Sequence, residues 1–177
     1  MQFVEEVLPG TWRVKLKSFA DDRGIFVKTY VRSVFAAAGI AFDFHEEFYS
    51  ISRKDVVRGM HFQLPPHDHV KIVYCAVGVV EDVVLDLRKG VNYGAFRSVL
   101  LRADEPEMLI VPIGIAHGFK SLTDNSLMVY KTSAEHAPQH DCGIRWDSFG
   151  FDWGEGEPII SARDRAHPAL ADFSSPF

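Results

Sequence analysis

The chain reads as an all-β protein, a sandwich or barrel carrying a few short helices, on three observations. Short runs rich in Val, Leu, Ile and Phe recur along its length. Turn-forming clusters of Gly, Pro, Asp and Asn separate those runs every 8–12 residues. Phenylalanine is unusually common, at 14 of 177 residues, which suits a β-rich core and a surface on which a ring can stack.

Taken in order, residues 11–16 alternate as a half-exposed strand, 21–24 form an Asp-Asp-Arg-Gly turn, and 25–30 form a second strand. Residues 33–38 are the best helix candidate, with Ser33 as N-cap and Gly39 just past the end. Residues 44–52 and 56–63 read as strands, and Gly59 marks a bulge or a close backbone approach. Leu64-Pro65-Pro66 ends that pattern. Strands at 70–77, 79–87, 97–101, 108–111 and 127–131 complete a set of about ten, with Gly78 and residues 89–94 as turns. From Pro138 onward Gly, Pro, Asp and Trp predominate, which predicts loops and short helical turns packed on the β body.

A length of 177 residues fits one domain, 1–177, able to bury a real core without staples. The net charge of −5 argues against nucleic acid as a partner, while leaving room for a local basic pocket. Cys75 and Cys142 form neither a CxxC nor a disulfide framework. Without a signal peptide or a run of about 18 apolar residues, the expectation is a cytoplasmic protein with no membrane partner.

The stretch that carries chemistry is Arg58-Gly59-Met60-His61-Phe62-Gln63, taken with Lys71. Strict alternation puts 59, 61 and 63 on one face and 58, 60 and 62 on the other, unless a bulge at Gly59 changes the phase. A lone buried histidine is usually a satisfied core residue. Here, burying Arg58, His61 and Lys71 together without a purpose would cost several kcal/mol in unpaired charge. Tyr130, at a strand end, reads either as a rim tyrosine or as a general acid facing the pocket. By spacing alone Asp164 is an ordinary residue of a helical turn.

Pro112-x-Gly114-x-x-His117 resembles the second motif of the cupin superfamily, a tight turn delivering a histidine into a small jelly-roll barrel. His67-Asp68-His69 supplies the HxH of the first motif, but Ile72-Val73-Tyr74 stands where its Glu is expected. One carboxylate is therefore missing from a divalent-metal set, and the preferred reading is a loop HxH with no metal. A metal-dependent cupin using His67, His69 and His117 remains a rival.

A longer series of motifs occurs in order: Asp22-Arg23-Gly24-x-Phe26, Val57 to Gln63, Lys71-Ile72-Val73, Gly78-x-Val80-x-Asp82-Val83-x-Leu85-Asp86-Leu87-Arg88, Val111-Pro112-x-Gly114-x-Ala116-His117-Gly118-Phe119, Tyr130-Lys131, Gly143-Ile144-Arg145-Trp146 and Ser161-x-x-Asp164. Together they resemble the dTDP-4-dehydrorhamnose 3,5-epimerase family over about residues 10–168. The resemblance implies a cofactor-independent cupin-type jelly-roll β-barrel, and a homodimer that exchanges N-terminal strands. It implies an epimerase that inverts C3, C5 or both of a nucleotide-linked 4-keto-6-deoxyhexose. By matching position, His61 is the base and Asp164 its orienting carboxylate. Lys71 and Arg58 stabilise an enolate oxygen, and Tyr130 is the acid. Arg23, Phe26, Glu47, Gln63, His117, Lys131 and His136 fall at substrate-binding positions, with Arg23 and His117 near the nucleotide and its diphosphate. Departures are the Glu46-Glu47-Phe48 stretch, and His136 where the family often has a second tyrosine that shapes which carbon inverts. A nucleotide-sugar 3,4-ketoisomerase on the same barrel, and a binding module that has lost catalysis, are further rivals.

Overall fold

The computed structural model describes residues 1–40 and 43–177. Those residues form thirteen strands: β1 (Gln2–Leu8), β2 (Thr11–Lys15), β3 (Lys17–Asp21), β4 (Gly24–Lys28), β5 (Glu46–Ser52), β6 (Val57–Gln63), β7 (Lys71–Val77), β8 (Val79–Asp86), β9 (Phe96–Arg102), β10 (Glu107–Val111), β11 (Ile115–Ser121), β12 (Ser126–Thr132) and β13 (Asp141–Gly143). Helices are short: α1 (Arg32–Ala37), α2 (Ala162–Arg165) and a 3-10 turn at Leu170–Asp172. Among the described residues no helix is long and apolar enough to cross a membrane.

The strands pair antiparallel in a six-stranded sheet, β1-β2-β10-β7-β12-β5, and a five-stranded sheet, β13-β6-β11-β8-β9. The chain crosses between these sheets at β5 to β6, β6 to β7, β7 to β8 and β9 through β12, the wiring of a double-sheet jelly roll. The all-β expectation holds, but the two sheets face each other as a sandwich rather than joining into a closed barrel.

Alternation builds the core. Val73, Leu109 and Met128 of the six-stranded sheet meet Val80, Val84, Leu101 and Phe119 of the five-stranded sheet, all essentially fully buried. Val83 and Leu85 point the other way, where Met60, Ile144, Phe149 and Trp153 cover them. This second cluster glues the loop-rich C-terminal segment to the outer face of the five-stranded sheet. β8 is thus covered on both faces, and four valines and a leucine fill five of its eight positions. On the outer face of the six-stranded sheet, Phe35 of α1 packs against Val14, Ile72, Met108 and Ile110.

Two local expectations need correction. Ser33 lies inside α1, and the N-cap is Val31, whose side chain makes no capping bond. Hydrophobic docking through Phe35 holds this single-turn helix, while Gly39 follows it at φ +74° as expected. Four strands went unrecognised: β1, β3, β11 and β13. β11 escaped because its core, Ala116-His117-Gly118, has weak strand propensity and is held by burial at all seven of its positions.

The bulge at Gly59 is present. His117 pairs with His61 and Phe119 with Arg58, so β6 spends three residues where β11 spends two. Gly59 has φ +138°, and a Cβ there would lie 2.5 Å from Gly118 Cα. Gly59→Ala is therefore expected to cost about 3 kcal/mol or more, read as a fall in Tm of about 6–12 °C by thermal unfolding. A Tm within a degree or two of the parent would refute the close approach. The extra residue also changes the phase of β6, so that Arg58 and His61, three apart, reach the same side.

Candidate active site

Between the open ends of the two sheets lies a cavity of about 380 Å³. The five-stranded sheet lends it Arg58, His61 and Gln63 from β6 and His117 from β11. The six-stranded sheet lends it Glu46, Phe48 and Ser50 from β5, Lys71 from β7, and Tyr130 and Thr132 from β12. His136, Asp141 and Arg163 close one side.

His61 and Asp164 stand 103 residues apart in sequence, yet His61 Nε2 lies 2.8 Å from Asp164 Oδ1. Asp164 is fixed from three directions. Its backbone N–H donates to Ser161 Oγ at the start of α2, and Gly59 N–H donates to its Oδ2 at 3.2 Å. Its burial opposes ionisation, but His167, His61 and the Gly59 amide more than offset that and hold the carboxyl well below the usual range. An ionised carboxylate only accepts, so Nε2 of His61 carries the hydrogen and Nδ1 is left with its lone pair. Burial lowers the His61 pKa from 6.5, and Asp164 pulls against that shift.

Lys71 Nζ donates to the carbonyl of His61 at 3.2 Å. Loss of hydration pushes its ammonium down to about 8, against partial support from Asp141 and Asp82. Tyr130 faces in from the opposite sheet, its hydroxyl 3.3 Å from Ser50 Oγ and its ring stacked on Phe48 at 4.8 Å. Burial pushes the Tyr130 phenol well above its ordinary value, so it keeps its proton at neutral pH. On the floor, buried His117 Nε2 sits 2.8 and 3.0 Å from the two oxygens of buried Asp82. Burial raises the Asp82 pKa and His117 offsets part of that.

The cavity thus brings together His61, Asp164, Lys71, Arg58, Tyr130, Gln63, His117 and His136, with Asp164 reaching it through His61. Gln63 spans it, Oε1 accepting from Ala137 N–H at 2.7 Å and Nε2 donating to the His67 carbonyl at 2.7 Å. Four predicted residues lie elsewhere. On β5 the alternation that turns Glu46, Phe48 and Ser50 inward turns Glu47 outward, where it pairs with Lys131 at 2.6 Å. Lys131 is outward by the same rule, next to inward Tyr130, and sits over the Phe44 ring. Arg23 and Phe26 belong to the β3–β4 hairpin, a two-stranded sheet of its own. Arg23 pairs with Asp21 there and is 90% exposed. Glu46 takes the place foreseen for Glu47, accepting from His136 N–H at 2.6 Å.

Sequence reasoning missed Asp141 and Arg163. Asp141 Oδ2 lies 2.7 Å from Arg163 and 3.0 Å from His136 Nε2, a network at the rim. The useful clue was Arg163's adjacency to Asp164; Asp141 gave no clue in a Gly- and Pro-rich segment. The rival metal set does not assemble. His117 is taken by Asp82, His67 packs on His140 at 4.4 Å, and His69 Nδ1 lies 3.1 Å from Gln63 Nε2.

The family model described as dTDP-4-dehydrorhamnose 3,5-epimerase matches residues 5–172. The dTDP-4-dehydrorhamnose 3,5-epimerase of Shigella flexneri is 35% identical over 168 residues, covering 93% of each chain. The crystal structure of dTDP-4-dehydrorhamnose 3,5-epimerase from Bacillus anthracis str. Ames, with TDP and PPi bound, superposes with a TM-score of 0.91 at 31% identity. It covers 95% of this chain and 98% of that one. ChmJ, a 3'-monoepimerase from Streptomyces bikiniensis in complex with dTDP-quinovose, gives 0.86 at 28% identity over 92% of this chain and 84% of that one. Sequence and backbone agree over nearly the full length, and so the chain belongs to the dTDP-4-dehydrorhamnose 3,5-epimerase family.

Proposed function

We propose that the protein inverts C3, C5 or both of a dTDP-linked 4-keto-6-deoxyhexose through an enolate. The observation that carries this reading is a carboxylate-oriented histidine on one sheet and a protonated tyrosine on the facing sheet, with a lysine beside the histidine. The 4-keto group acidifies the neighbouring C–H bonds. His61 Nδ1 removes one such proton, and the electron pair moves onto the C4 oxygen. Lys71, still an ammonium below about pH 8, and Arg58 stabilise the negative charge as it develops. Tyr130 returns a proton to the carbon from the other face, which inverts the centre. Exchange of the imidazolium proton and the phenolate with water resets the pair.

His117, Gln63 and Arg163 offer the polar floor and rim on which the nucleotide diphosphate rests. Arg23 and Phe26, on a hairpin that leaves Phe19, Ile25 and Phe26 about half exposed, serve the cavity of a second copy in a homodimer. His136 sets which carbon faces the base.

The test is incubation with dTDP-4-keto-6-deoxyglucose in D₂O, following the C3 and C5 protons by NMR. Exchange at both carbons assigns double inversion, and exchange at one assigns a mono-epimerase, with His136 the first residue to change. No exchange with the dTDP, CDP or GDP forms of the sugar overturns the reading.

A further inference from the structure

One buried atom beside the cavity makes no hydrogen bond of ordinary length. His167 Nε2 has Asp164 Oδ1 as its nearest acceptor, at ion-pair distance only. The ring has little freedom to turn away, because it lies against Gly143, where a Cβ would collide with the imidazole. Its Nε2 points toward the His61–Asp164 pair. It lies 3.7 Å from Asp164 Oδ1, the same oxygen that stands 2.8 Å from His61 Nε2. The three ligand atoms all lie within 4.8 Å of one another.

Two imidazoles and a carboxylate are the protein ligands of open zinc sites, with bonds of about 2.0–2.2 Å and tetrahedral ligand atoms about 3.4 Å apart. The spacings of 2.8 and 3.7 Å to Asp164 Oδ1 straddle that value, and a cation entering the cluster would open the first and close the second. Asp164 is suitably held: the Gly59 amide occupies Oδ2 and leaves Oδ1 to the cluster. We propose that His61, Asp164 and His167 form a binding site for a zinc-type divalent cation, and that filling it switches the enzyme off.

The inhibition rests on the reading of His61 as the base. Without metal, His61 carries its hydrogen on Nε2 and its lone pair on Nδ1. A cation on Nε2 moves that hydrogen to Nδ1, with no net proton released by His61. Nδ1 then becomes a donor and cannot accept a proton from the sugar. Lys71 and Arg163, whose charges both act on His61, oppose a further cation. They keep the site one that fills and empties.

The purified enzyme would be titrated with Co²⁺, whose visible absorption reports four-coordinate binding, and then with Zn²⁺ in competition. Proton exchange in D₂O would be followed in parallel. The expected result is visible bands at one equivalent, bleached by Zn²⁺, and exchange lost as Zn²⁺ binds and restored by EDTA. His167→Ala should weaken binding and inhibition at least tenfold, each judged against the variant's own metal-free rate. His167→Gln keeps the volume if the alanine variant fails to fold. Equal Co²⁺ or Zn²⁺ affinity in wild type and both variants, or no bands at millimolar Co²⁺, overturns the site. Bands in a protein that exchanges no sugar proton would leave the metal site standing and refute the base instead.

Discussion

Replacing His61 by alanine lowers proton exchange at the sugar carbons by about 10³-fold, while binding of dTDP stays within about threefold of wild type. The effect is large because the residues beside it, Lys71, Tyr130 and His117, cannot take its place. Lys71 is cationic, Tyr130 is held protonated by burial, and His117 has its Nε2 committed to Asp82. On the proposed reading His61 acts on the sugar, which dTDP lacks, so binding of dTDP is expected to survive its removal. NMR exchange and calorimetric titration with dTDP together check this. Turnover within tenfold of wild type would sink the assignment of His61, and loss of dTDP binding would move it to the nucleotide.

Lys71→Met separates activity from stability. Turnover falls by about 10²–10³, since the cation at the developing oxyanion is gone. Stability moves the other way. The Lys71 pKa drops from 10.5 to about 8 on folding, so keeping the charge at pH 7 costs about 3 kcal/mol. Methionine removes that cost and loses one hydrogen bond to the His61 carbonyl, worth about 1 kcal/mol. A rise in Tm of about 4–8 °C is expected. The pH dependence follows with its sign. Between about 8 and 10.5 the unfolded chain binds the extra proton, so wild-type stability rises with pH across that window, and the variant lacks the rise. Wild-type activity should fall on the alkaline side near pH 8 as Lys71 loses its proton, and on the acid side below 6.5 as His61 gains one. A Tm below that of wild type, or an unchanged alkaline limb in the variant, would contradict this account.

Much of the site was legible because it lies on regular strands. Turn spacing and apolar runs gave the sandwich, and the one glycine in the Arg58–Gln63 run announced the bulge that reunites Arg58 with His61. Period-2 alternation anchored on inward Tyr130 would also have turned Lys131 and its partner Glu47 outward, so those two errors were avoidable. Asp164 is different. It reaches His61 only because Trp153, Phe149 and Ile144 bury the C-terminal segment against the outer face of the five-stranded sheet. No local pattern encodes a contact spanning 103 residues, and only the family resemblance located it. Arg163 and His167 flank Asp164 and arrive with it, while Asp141 reaches the rim on β13, which pairs with β6.

Tyr130 and His61 stand on different sheets, so the gap between them is a property of the interior. Val73, Val84, Leu109 and Met128 never meet a sugar, yet their summed thickness sets how far Tyr130 stands from His61. The apolar filling works as a spacer between two jaws. Changing a methyl group in it alters the size of ring that fits between them, so variants that accept bulkier sugars should be sought in the spacer as well as on the walls.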